Sequence, residues 1–221
     1  YRDGIETEPA ALFRYVDETG ALPKTAAPSP EDFAAVFSRL TGAGREVVYV
    51  GISGELSASF NNARLAAEGF ANVYVVDSLS LSTGIGLIVL RASEYAAEGL
   101  SAREIAERLG RDTALVEASF VIDTLTYLHK GGRCSSVAAL GSNLLKIKPC
   151  IEVRAGRMQV GKKYQGTLKR CLEKYVEERL TGRGDIDPRR VFITHTVQDE
   201  SLVAYVKAAV ERCGRFEEIL I

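Results

Sequence analysis

The sequence predicts an α/β protein of two domains, a parallel sheet flanked by helices over residues 1–116 and a second, mixed α/β domain over 117–221. Three observations carry this. An apolar, β-branched run at about 46–52, a helix-spaced stretch from about 57 to 68 and a second apolar run, Val73 to Val76, make a β-α-β unit, whose parallel strands need helices on the faces of their sheet. Lys148 to Val153 and Met158 to Lys162 flank Arg154-Ala155-Gly156-Arg157, which reads as an antiparallel hairpin with glycine where the turn needs positive φ. Strand and helix then alternate to the end of the chain, as α/β architecture requires.

Taken in order, Ser29-Pro30-Glu31-Asp32 sets a cap, a first-turn proline and two carboxylates ahead of Phe33, Val36, Phe37 and Leu40, an i, i+3, i+4, i+7 stripe ending near Gly42. The β-α-β unit follows. A helix over 82–97 has Gly84 and Gly86 in its first turns, a sign of close backbone approach. Ser101 with Glu104 forms a capping box, and Leu100 with Ile105 a hydrophobic staple, at the next helix start. Beyond the boundary, Ser119 to Ile122 reads as a strand followed by short helical segments around Gly131-Gly132-Arg133. After the hairpin come a helix at 167–180, a strand at 191–195, a helix at 198–212 and a terminal strand at 217–221. Gly182, Gly184 and Pro188 mark the solvated connection within that series.

Composition excludes several classes. The formal net charge is −1, so no basic field argues for nucleic acid or an anionic membrane. Cys134, Cys150, Cys171 and Cys213 are widely spaced, without a Cys-x-x-Cys pair or a nearby His cluster, which argues against structural zinc and fits reduced thiols in the cytoplasm. No apolar run reaches the roughly 20 residues that span a bilayer. The chain opens on Tyr1 rather than Met and stops in a strand-like run, so each domain is expected to lack one end.

Chemistry concentrates in Gly51-Ile52-Ser53-Gly54-Glu55-Leu56-Ser57-Ala58-Ser59-Phe60, where a strand hands over to a helix. Hydroxyls and free backbone N–H groups at a helix start suit a carboxylate or a phosphate. Ser57 is the candidate anion seat and Ser53 an accessory, although either serine also fits a helix cap. Ser53 follows a strand as a hydrolase nucleophile would, but the tight elbow of Gly-x-Ser-x-Gly is broken by Glu55. A phosphometabolite-binding module is a further alternative, since a helix N-terminus accepts phosphate as readily as carboxylate. His195, at a strand end, is either a ligand-orienting group or a structural hydrogen-bonding one.

Several of these stretches together resemble the DegV family of bacterial fatty-acid-binding proteins. Thr25-Ala26-Ala27-Pro28-Ser29 is similar to that family's Thr-Ser-x-Pro-Ser, and Ser53 to Phe60 to its Ser-Ser-x-Leu-Ser-Gly-Thr-Tyr. Val76-Asp77-Ser78, the block Asp123 to Arg133 and Lys146-Ile147-Lys148-Pro149 match in order and spacing as well. The resemblance implies a DegV-like fold of two α/β domains enclosing a lipid tunnel, with one long-chain fatty acid bound non-covalently, no other cofactor and no metal. Thr25 and Ser57 would hold its carboxylate. It further implies a cytoplasmic carrier, not itself catalytic, that presents the acid to an ATP-dependent fatty acid kinase for acyl-phosphate formation. Arg133 is then a candidate charge for docking that partner. One departure is Gln165, where family members often carry Arg; Lys163 or Arg170 are the candidates to compensate. The family's first Thr-Asp-Ser segment and its C-terminal glycine-rich segment, with a His near the lipid head group, would fall outside Tyr1 to Ile221.

Overall fold

A computed structural model describes residues 5–132, 134 and 147–221. Helices α1 (Pro9–Thr19) and α2 (Pro30–Gly42) lead into β1 (Val47–Gly51), α3 (Ser59–Ala67) and β2 (Val73–Asp77). Then follow α4 (Thr83–Ala97), α5 (Ala102–Asp112) and a 3-10 turn at Thr113–Leu115. Strand β1 pairs in parallel with β2, Val47 opposite Val73 and Gly51 opposite Asp77. Both faces of the pair are covered. Alternation along the strands sends Val47, Tyr49, Val73 and Val75 to the side of α2 and α3, where Phe33, Phe37 and Phe70 pack on them. Val48, Val50 and Val76 go to the other side, against Ile88 and Tyr95 of α4 and Ile105 and Leu109 of α5. Burying each of these large side chains contributes roughly 1.5–3 kcal/mol. The helix starts follow the sequence: Ser29 with Asp32 and Ser101 with Glu104 both close reciprocal capping boxes.

The second half is built on a different plan. Strands β3 (Ala118–Val121), β4 (Ile147–Arg154) and β5 (Arg157–Gln165) form an antiparallel sheet in that order, with the short α6 (Thr126–Gly131) between β3 and β4. A β-bulge between Pro149 and Ile151 absorbs the proline, which lacks a ladder N–H while its carbonyl accepts from Ile122 N at 3.2 Å. Helix α7 (Leu168–Leu180) lies on this sheet, and α8 (Glu200–Cys213) lies on α7 beside the parallel pair β6 (Arg190–Phe192) and β7 (Glu218–Leu220). Among the described residues, each buried cluster draws its members from one side of residue 117. Ile88 belongs to the core of the first half, and Phe120 and Ile122 pack against the Leu125 and Ile151 cluster of the second.

Three of the boundaries that differ from the sequence reading have a hydrogen-bonding cause. The helix expected from 57 begins at Ser59, because the preceding residues form a hydrogen-bonded turn. The helix expected from 198 begins at Glu200, because the Asp199 carboxylate caps it by accepting from the amides of Ser201 and Leu202. The strand expected over 191–195 ends at Phe192: Ile193 N still donates to Leu220 O, but Thr194 turns away to Thr83, its Oγ1 2.5 Å from that of Thr83.

Candidate functional site

The stretch between β1 and α3 is shaped mainly by its own polar groups. Ser53 O accepts from Leu56 N at 2.9 Å and from Ser57 N at 3.1 Å, closing the turn, while Ser53 Oγ accepts from Glu55 N at 3.2 Å. Asp77, at the end of β2, ties this loop to the next one: its carboxylate accepts from Gly54 N at 3.1 Å and from Leu79 N at 2.9 Å. A second tie is Ser53 N donating to Ser80 O at 2.9 Å. The loop therefore sits at the carboxyl ends of two parallel strands, where open α/β sheets place their ligands.

Ser57 is half-buried in this frame. Its Oγ accepts from Ser59 N at 3.2 Å and lies 2.9 Å from Ser59 Oγ. Ser57 Oγ accepts the Ser59 amide, and either hydroxyl of the Ser57–Ser59 pair can donate to the other, so the pair keeps one hydroxyl proton for an outside acceptor, a carboxylate oxygen being the natural one. Thr25 is exposed, lies in the extended segment before α2 and has no hydrogen-bond partner among the described residues. Asn62 Nδ2, in α3, donates to Pro28 O at 2.7 Å and so fastens the segment that carries Thr25 to that helix.

The other sequence candidates are placed differently. Ser53 is 0% exposed, its hydroxyl engaged by Glu55 N and roofed by Gly156, so it shapes the loop and offers no face to a substrate. His195 is exposed, with Nδ1 3.0 Å from Val197 O, next to Thr194 and hence beside the start of α4 rather than α3. Arg133 lies outside the described residues. Asp123 and Lys148, from two separate motif blocks, form an ion pair. Sequence reasoning named Asp77 only as part of a strand end and gave no role to the hairpin tip that covers Ser53.

Gln165 ends β5 and borders a cleft of about 250 Å³ between that strand and α7. Tyr164 and Cys171 are buried there, and Lys162, Lys163, Arg170 and Lys174 line it. Lys162 pairs with Glu178, which it holds below the usual carboxylate range. Burial, and then the Tyr164 hydroxyl's bond to Glu178 at 2.9 Å, push the Tyr164 phenol up. Lys163, Arg170 and Lys174 make no close ion pair among the described residues, and with Glu178 the carboxylate beside Lys162 and Lys174, the cleft keeps an excess of positive charge. No group of His, Cys, Asp or Glu side chains among the described residues could hold a metal ion, and no described helix is long and apolar enough to cross a membrane.

Comparison with known proteins decides the family. The family model described as "Uncharacterised protein, DegV family" matches residues 1–221. The chain belongs to the DegV family. A DegV domain-containing protein of Deinococcus radiodurans is 36% identical over 211 residues, which is 94% of this chain and 74% of that protein. Among solved structures, a fatty-acid-binding DegV family protein from Thermus thermophilus is 35% identical with a TM-score of 0.84, over 100% of this chain and 79% of that one. A DegV lipid-binding protein from Thermotoga maritima is 28% identical with a TM-score of 0.79, over 98% of this chain and 77% of that one. These DegV structures share the mixed α/β fold, with its parallel and antiparallel sheets, described above.

Proposed function

We propose that this DegV chain is a cytoplasmic carrier that binds one long-chain fatty acid non-covalently and presents it to a fatty acid kinase for acyl-phosphate formation. Residues up to 116 form one domain and those from 117 the other, and the carboxylate is held by Thr25 and Ser57. The observation that carries this is the half-buried Ser57, whose oxygen takes the Ser59 amide and which with the Ser59 hydroxyl keeps one proton to give, at a helix start, with the segment that bears Thr25 fastened to the same helix at Pro28. An ionised carboxylate leaves water only where donors replace its hydration, and two hydroxyls with a helix N-terminus are such donors. The tail supplies affinity at about 0.8 kcal/mol per CH₂, on the order of 10 kcal/mol for a long chain before ordering and association costs. The reading is further supported by solved DegV relatives described as binding fatty acid or lipid. The carrier has no catalytic residue of its own in this reading; the phosphoryl chemistry belongs to the kinase.

The test is native mass spectrometry of the gently purified full-length protein, followed by denaturation and identification of the released ligand. A stoichiometric fatty acid, absent from the Thr25→Ala/Ser57→Ala double variant, is expected. A protein that stays free of lipid after incubation with fatty acid, or that releases a small polar phosphate, would overturn the reading.

A further inference from the structure

The tip of the β4–β5 hairpin belongs by its packing to the second half, since Met158 and Val160 join the Phe120, Leu125 and Ile151 cluster, yet it rests on the loop that carries Ser57. Its two turn residues, Ala155 and Gly156, have φ of 48° and 77°, the left-handed pair of a two-residue hairpin. Gly156 lies directly over Ser53. A Cβ built there would stand 2.4 Å from Ser53 Oγ, and within 3.5 Å of Glu55 Cγ and Leu79 Cδ2. Even alanine would therefore have to displace fully buried Ser53. Next along the strand, Arg157 forms an ion pair with Glu55. Leu79, under the same tip, itself has φ of 50°, outside the range a leucine ordinarily takes. Ser53 in turn accepts the Leu56 and Ser57 amides on its carbonyl, so displacing Ser53 displaces the turn that aims Ser57.

We infer that Gly156 and Arg157 are positioning residues for the carboxylate seat: the hairpin tip, pressing on Ser53 and holding Glu55, sets the orientation of Ser57 from the other half of the molecule. This rests on the fatty-acid reading above. Recognition of the acid head is thereby tied to the docking of the two halves, without either residue touching the ligand. The ion pair is well exposed on both sides and contributes little to stability, so its removal reports on positioning rather than on folding.

The experiment compares the binding of stearic acid with that of its methyl ester, which keeps the tail but lacks the anionic head. Wild type is expected to favour the acid at least tenfold. Gly156→Asn, a residue that tolerates left-handed φ and so retains the turn, is expected to cut that preference to threefold or less. Arg157→Glu is expected to weaken it several-fold, and the swap Glu55→Arg/Arg157→Glu to restore it, with the melting temperature of Arg157→Glu near that of wild type. Folded variants that keep the wild-type acid-to-ester ratio would overturn the inference and leave the fatty-acid reading standing. Wild type that takes up neither compound would overturn both.

Discussion

The Ser53–Ser57 loop and the cleft between β5 and α7 are both hospitable to anions, by opposite means. The loop uses neutral donors, hydroxyls and amides fixed by Asp77 and by the hairpin tip, in a half-buried setting. The cleft uses Lys163, Arg170 and Lys174, exposed cations that make no close ion pair among the described residues. Neutral donors act over hydrogen-bond distance and select geometry, whereas exposed cations act over about a Debye length, roughly 8–10 Å at physiological salt, and select sign. The hairpin separates the two regions. Its tip touches the loop, and β5 runs from Arg157 to Gln165 before the cleft, roughly 25 Å at about 3.3 Å per residue. On the proposed reading, registering a fatty acid and attracting a partner would fall to different ends of one hairpin.

The largest effect should come from the loop. Hydrogen bonds to a charged group are worth about 1.5–3 kcal/mol each, so Thr25→Ala/Ser57→Ala is expected to weaken fatty-acid binding roughly a hundredfold or more. Isothermal titration with stearic acid checks this, and a loss below threefold would move the head group away from the loop. Reversing the cleft should act on the other task. Lys163→Glu/Arg170→Glu is expected to leave fatty-acid affinity unchanged and to slow turnover by the kinase about tenfold at low salt, the deficit shrinking as salt screens the field. A deficit independent of ionic strength would argue against steering.

How much of this was legible in the sequence follows the range of the interactions involved. Ser29 with Asp32 and Ser101 with Glu104 span three residues, so their helix starts could be read directly. The unbroken apolar runs Val47 to Val50 and Val73 to Val76 marked the two-sided burial that the parallel pair shows. The loop that carries Ser57 was legible because strand, serine and helix are contiguous. The role of Asp77 was not, since its partner Gly54 lies 23 residues away, and the end of β6 was not, because Thr194 is drawn off by Thr83, 111 residues distant. The turn at Ala155-Gly156 could be read from Gly156, but what the turn covers is a tertiary fact.

A smaller effect tests the seam between the halves from the side opposite the hairpin tip. Glu94 on α4 pairs with Arg91 on its own helix and with Arg190 on β6, and those cations hold its carboxyl below the ordinary value of 4.5, the Arg91 hydrogen bond being the first cause. A depressed folded pKa means that this contribution is fully present above the unfolded value and is lost as pH falls through the folded one. Thermal melts should therefore show a stability decline below about pH 4.5 that Glu94→Gln makes shallower. An unchanged slope would assign acid sensitivity to other carboxylates.

The smallest effect is expected at Gln165. Placed roughly 25 Å along the strand from the loop, more than two Debye lengths at physiological salt, it is too distant for a charge there to reach the fatty-acid head. It borders a cleft that already carries Lys163, Arg170 and Lys174, so one more cation adds to an existing field rather than creating one. Gln165→Arg should raise kinase turnover less than twofold, only at low salt, and leave the dissociation constant for stearic acid unaltered. A change in that constant would mean that the two ends of the hairpin communicate through the strand itself, with the Gly156 contact on Ser53 as the route, and would dissolve the division of labour between loop and cleft.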